Sequence, residues 1–224
     1  MTRAICTLLL AAACGPAFGR GDADGMIASV TYVRPDGTQV GAFALSEDGV
    51  ASVEHRGELL QAQLPATAVQ RLRDRLAGER LGGLSQNQFD AAVVRGAEAY
   101  GLIVPIPAAD DCRLRLPGGT LRCVGPAVLA NRMSGVAAVQ DYERLRGEFE
   151  QLAGVVILGG VETLHTFLRA AGEAAGAPIR LSDLSYADRF AGEIVAHFSG
   201  ADGTVVVTSR DGVIETRVLA TRPR

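Results

Sequence analysis

One segment, Cys112-Arg-Leu-Arg-Leu-Pro-Gly-Gly-Thr-Leu-Arg-Cys123, constrains the fold more than any other part of the chain. Apolar and polar residues alternate on both sides of Pro117-Gly118, the pattern of two antiparallel strands joined by a tight turn. A two- or four-residue loop centred there places Cys112 opposite Cys123, Leu114 opposite Leu121 and Leu116 opposite Gly119. A three-residue loop slips the register and opposes Cys112 to Val124 instead. In the first register the cysteines stand at the separation a disulfide needs. Closing so short a loop contributes a little under about 3 kcal/mol in the chain-entropy account. The other face of the hairpin sets Arg113 opposite Arg122 and Arg115 opposite Thr120. Like charges so placed repel unless something neutralises them. Either Asp111 on the same face, an acidic neighbour or solvent does so, or Arg113, Arg115 and Arg122 form a site for an anion or an acidic partner.

A structural disulfide needs an oxidising compartment, and the N-terminus supplies a route to one. Arg3 precedes an uncharged run, Ala4 to Ala13, which Gly15-Pro16 closes. Residues 1–19 are therefore expected to be a signal peptide, because the apolar run is about half the roughly twenty residues a spanning helix requires. Ala17-Phe18-Gly19 offers small residues at the positions signal peptidase reads. Leu10-Ala11-Ala12-Ala13-Cys14-Gly15 also resembles the lipobox of bacterial lipoproteins, with Ala11 where that motif prefers a larger aliphatic residue. The resemblance covers only the start of the chain. It implies that Cys14 becomes the lipid-bearing first residue, with the lipid as the sole membrane attachment. The lipobox reading places the protein in the periplasm or at the outer membrane as a lipoprotein, and cleavage after Gly19 makes it a freely secreted protein. Residues 20–25 read as a short tether. Of four cysteines, Cys6 and Cys14 belong to this region, leaving Cys112 and Cys123 as a pair for the folded body.

The remaining pattern predicts an α+β fold: antiparallel β-meanders and a disulfide-stapled hairpin packed against two to three amphipathic helices. Residues 26–158 are expected to form one α+β domain and 161–224 a C-terminal αβββ subdomain. The first meander has three strands, 26–34, 38–45 and 50–64, the last interrupted at Arg56-Gly57. Pro65 opens a helix over 65–77, with Val69, Leu72 and Leu76 inward. Phe89–Tyr100 has helical spacing weakened by Gly96, and Leu102–Pro107 reads as an edge strand or a buried loop. A longer helix over 136–152, with Ser134 as its cap, carries the stripe Val139, Tyr142, Leu145 and Phe149. A helix over 161–175 then precedes strands 193–198, 204–209 and 213–220. The sheet of 26–64 is expected to take the cysteine hairpin as a further member, with the helices 65–77 and 136–152 on one face.

Charge and residue types exclude several functions. The formal net charge is −3, so no basic excess exists to neutralise a nucleic-acid backbone. All 22 basic residues are arginine, which removes lysine-dependent phosphate cradles and Schiff bases. His55, His165 and His197 are too far apart in sequence to form a metal motif, and no serine sits in a nucleophile elbow. Asp110-Asp111 and Asp183/Asp188 are carboxylates an acid/base hydrolase could use, although such residues more often cap or turn. The sequence therefore favours a non-enzymatic envelope module that binds another envelope protein, with no catalytic residue, metal or cofactor assigned. A carboxylate hydrolase and a small-ligand carrier are the alternatives.

Overall fold

The computed structural model describes residues 25–33, 37–106, 110–201 and 203–220. The expected signal peptide and Cys14 lie outside these residues, as does the tether up to residue 24. Strands β1 (Met26–Val33), β2 (Gln39–Ser46), β3 (Val50–His55) and β4 (Glu58–Gln63) lead to helices α1 (Ala66–Ala77) and α2 (Gln86–Tyr100). The hairpin β5 (Asp111–Leu116) and β6 (Gly119–Val124) follows, then α3 (Pro126–Arg132), α4 (Ala137–Ile157) and α5 (Val161–Ala175). Strands β7 (Leu184–Phe190), β8 (Glu193–Gly200), β9 (Gly203–Arg210) and β10 (Val213–Ala220) complete the described chain.

The first sheet has the order β4-β3-β2-β1-β5-β6 and is antiparallel throughout. The cysteine hairpin joins it through β5 against β1, so the expected first layer is present. Helices α1, α2 and α4 bury one face of it. Phe43, Leu45, Val53 and Leu114 from the sheet meet Leu72, Phe89, Tyr142 and Phe149 from the helices in one core. Phe43 and Phe149 stack with ring centroids 5.6 Å apart.

The C-terminal strands stand beside this sheet rather than extending it. Their order is β10-β9-β8-β7, and α5 packs Leu164, Phe167 and Ala171 onto Ala196, Phe198, Val205 and Val207. Helix α4 serves both cores, with Val155 and Leu158 turned toward the second. Gly154 sits at that joint. A Cβ there would lie 2.6 Å from Leu184 Cδ2, so any larger residue requires the Leu184 side chain to shift for α4 and β7 to approach so closely.

Several expectations need correction. Arg56 (φ 52°) and Gly57 (φ 80°) form a two-residue hairpin turn, which divides the expected third strand into β3 and β4. Positive φ at both positions is normally signalled by Asn-Gly or Asp-Gly, and arginine hides it. The C-terminal unit has four strands, because β7 precedes the three expected. Helix α2 begins at Gln86, where Ser85 and Gln88 form a capping box, and Gly101 closes it in the left-handed conformation. Helix α4 starts from Val136 rather than Ser134, since the short α3 and its exit occupy the residues before it. Pro65 caps α1 rather than standing at its first position, its carbonyl accepting the Val69 amide at 3.1 Å. Residues 102–106 are loop.

Candidate functional site

The hairpin sets the geometry of the most suggestive surface. Pairing runs Leu116↔Gly119, Leu114↔Leu121 and Cys112↔Cys123, which is the first of the two registers considered. The two-residue turn makes Leu116 and Gly119 a hydrogen-bonded pair, and alternation gives the same status to Cys112 and Cys123. The Gly125 amide bonding to the Asp110 carbonyl at 2.7 Å continues that alternation. Both cysteines are buried free thiols in this structure, so the staple expected from the sequence is not formed. Hydrogen-bonded pairs hold their Cα atoms farther apart than the intervening pairs do, which leaves two thiols room to stand side by side. Burial pushes the Cys112 thiol up to about 11 and Cys123 up to about 12. Below them the buried Tyr142 hydroxyl donates to the Cys112 carbonyl at 2.8 Å, and its ring lies 5.3 Å from that of Phe89.

The three candidate arginines share the outer face. Across the sheet, Arg122 neighbours Arg113, which neighbours Thr31, while Thr120, Arg115 and Ser29 form the next row. The charge conflict is relieved as the sequence allows. Arg122 holds Asp111 in a fork, Nε to Oδ1 at 2.9 Å and the terminal nitrogen to Oδ2 at 2.7 Å. That carboxylate raises the arginine's pKa further. Arg113 makes no ion pair among the described residues.

Arg122 also marks the edge of the sheet. Gln86, in the first turn of α2, behaves like a neighbouring strand toward it. The Arg122 amide donates to Gln86 Oε1 at 2.7 Å, and Gln86 Nε2 donates to the Arg122 carbonyl at 3.0 Å. One stretch of an exposed edge is thereby closed to pairing. Beside this clamp opens an apolar cleft of about 440 Å³. Phe89, Val93 and Val94 of α2, Val104 and Pro105 of the following loop, and Cys123, Val124 and Leu129 line it, with Gln86, Asp90 and Arg122 as its polar members. Large side chains around it face water. Val94 is 46% exposed, Ile103 beside Val104 is 87% exposed, and Val128 beside Leu129 is 44% exposed. The arginine was singled out from sequence, but the apolar wall was not. Its residues come from segments that join only when α2 lies along β6.

Of the four named carboxylates, Asp111 is held by Arg122, and Asp183 and Asp188 are also engaged in structure. Asp183 accepts the Arg180 amide at 2.7 Å. Asp188 accepts both nitrogens of the Arg56 fork, at 2.9 and 2.6 Å, and stands 2.7 Å from His55 Nε2. The Tyr186 hydroxyl donates to it at 3.0 Å. The Arg56 guanidinium, with His55 and Tyr186, holds this carboxyl well below the usual carboxylate range. The cluster ties the β3–β4 turn to β7, and Arg56 also covers the Phe190 ring at 4.9 Å. His197 lies against the Tyr186 ring, while His165 remains on α5. On α4, Arg146 bridges Glu143 and Glu150 and donates to the Tyr32 hydroxyl at 2.6 Å. No group of histidine, cysteine, aspartate or glutamate among the described residues has the arrangement of a metal site. No single helix there is long and apolar enough to cross a membrane. Comparison with family models, with curated proteins and with solved structures finds no match to the chain.

Proposed function

We propose that this chain is an exported bacterial envelope protein, anchored through Cys14 as a lipoprotein, that acts as a non-enzymatic binding module. The observation that carries the binding role is the apolar cleft beside β6, with Val94 at its wall and Arg122 at its rim. Exposed apolar side chains gathered around a concavity mark interaction surfaces more often than they occur by chance on a solvated protein. The ligand that fits is an envelope protein segment offering an apolar side chain to the cleft and an acidic group to Arg113, the neighbour of Arg122, whose own fork holds Asp111. Export is supported by the leader pattern and by the opposed cysteines, which an oxidising compartment would join as a disulfide. A second reading shares the site: a volume of about 440 Å³ also suits a small apolar ligand.

Val94→Asp and Arg113→Ser test the reading. Each is expected to diminish retention of the partner by the purified protein while leaving the melting temperature unchanged. Retention unaffected by either change overturns it. Loss of a bound small molecule, with no protein partner involved, selects the second reading.

A further inference from the structure

Every residue of β10 is exposed, although it pairs with β9 along its whole length. The Asp211-Gly212 turn, with φ 52° and 79°, makes Arg210 and Val213 a hydrogen-bonded pair. Alternation then turns the amides and carbonyls of Val213, Glu215, Arg217 and Leu219 toward β9. Those of Ile214, Thr216 and Val218 point away from the sheet. The strand carries no bulge in this pairing and no proline. Two of the other edges are better guarded: Gln86 closes β6 at Arg122, and β7 has a register break between Leu184 and Tyr186. An edge with open backbone groups is a template for another strand.

The side chains specify which strand. Glu215 and Arg217 stand on the face away from α5, and Ile214, Thr216 and Val218 on the α5 side. Let a second β10 run antiparallel to the first, with Thr216 opposite its own copy. Backbone parity is then satisfied: Ile214 faces the partner's Val218, and about six hydrogen bonds form around the two-fold axis. In the intervening closer pairs Glu215 faces the partner's Arg217, and Arg217 faces the partner's Glu215. Val213 meets the partner's Leu219. One register thus satisfies hydrogen bonding, charge and apolar matching together. On the α5 side, Ile214 and Thr216 line a groove of about 310 Å³ along the strand with Ala170 and Ala174 and with the polar Thr166, Arg169 and Glu173, leaving room for the partner's side chains.

We infer that β10 is a self-complementary edge through which two copies of this chain join their four-stranded sheets into one continuous sheet. The surface is separate from the cleft beside β6, and the inference does not rest on the binding role proposed for that cleft.

Sedimentation equilibrium of the purified full chain tests it. Wild type is expected to sediment at twice the chain mass. Glu215→Arg sets arginine opposite arginine, and Arg217→Glu sets glutamate opposite glutamate. Each is expected to weaken the dimer by roughly tenfold or more. The double exchange, Glu215→Arg with Arg217→Glu, restores opposite charges and with them the dimer. Thr216→Pro removes an outward amide that β9 does not use, and is expected to give a folded monomer by circular dichroism. A monomeric wild type overturns the inference. So does a dimer indifferent to the single exchanges, or a double exchange that stays monomeric while folded.

Discussion

Raising the pH from about 7.5 to about 10 under reducing conditions is expected to destabilise the protein by about 3 kcal/mol through Cys112 and Cys123 alone. Both thiols are buried in the ladder between β5 and β6, and burial holds their pKa at about 11 and about 12, above the ordinary thiol value. A group whose folded pKa is raised contributes stability that is complete below its unfolded pKa and is lost as the pH climbs toward the folded value. At about pH 10 the unfolded chain gains about 1.4 kcal/mol from each ionised thiol, while the folded chain keeps both protons. The window is unusually clean, because every basic side chain is arginine and no lysine titrates there. Urea unfolding followed by circular dichroism reads the effect. With a slope of about 2 kcal/mol per molar, the midpoint should fall by about 1.5 M. The Cys112→Ala/Cys123→Ala variant supplies the background from Tyr32, Tyr142 and the amino terminus. Oxidised protein carrying the disulfide has no thiol to ionise and should follow that variant. If reduced wild type shows the same pH dependence as the double variant, the thiols are not held in this buried register and the reasoning fails.

Three further outcomes are expected. Tyr142→Phe removes the donor to the Cys112 carbonyl from a fully packed site and should cost about 1 kcal/mol in urea unfolding; a change below the error of the measurement contradicts that hydrogen bond. Gly96→Ala places a Cβ 2.6 Å from Val136 Cγ2 and 3.2 Å from Met133 Sδ, so it should destabilise by about 1–3 kcal/mol despite alanine's better helix propensity, and a gain in stability contradicts the close packing of α2 against residues 133–136. Asp188 accepts the Arg56 fork as a carboxylate held well below the usual range, so the stability this tie contributes is complete above about pH 4, declines as the pH falls, and is lost only in strong acid where the folded carboxyl takes its proton. Hydrogen exchange at the Arg189 amide should then quicken in acid for wild type, and already be fast and pH-insensitive beyond the intrinsic rate in Asp188→Asn.

The legible parts of the fold were those where a short-range pattern has one physical solution. The hairpin of β5 and β6 was legible from its alternation about Pro117-Gly118, and of its two registers the observed one keeps Leu121 and Cys123 on the buried face with Cys112 and Leu114, where a slip of one residue would turn Leu121 and Cys123 outward and Arg122 inward. The stripe Val139, Tyr142, Leu145 and Phe149 marked α4 because an apolar face repeated every three or four residues has few other uses. Illegible parts depended on partners distant in sequence. Gly96 weakens a helix in isolation, yet α2 keeps it because Val136 occupies the space a side chain would need. Strand β7, with Tyr186, Asp188 and Phe190 largely on its open side, lacks the apolar alternation that betrays a buried strand. Its pairing with β8 and the anchoring of Asp188 by Arg56 hold it in place. At the candidate site, Arg122 was conspicuous beside Arg113. The wall formed by Phe89, Val94, Val104 and Leu129 was not, because no local spacing links those positions.

The binding role is tested most directly in the native envelope. A photo-activatable residue is placed at Val94, on the wall of the cleft, and at Glu162 on α5 as a remote exposed control. Illumination is expected to give one discrete covalent adduct with an envelope protein from position 94 and none from 162, and Arg113→Ser should diminish it. Equal labelling from both positions, or no protein adduct from position 94, contradicts the account.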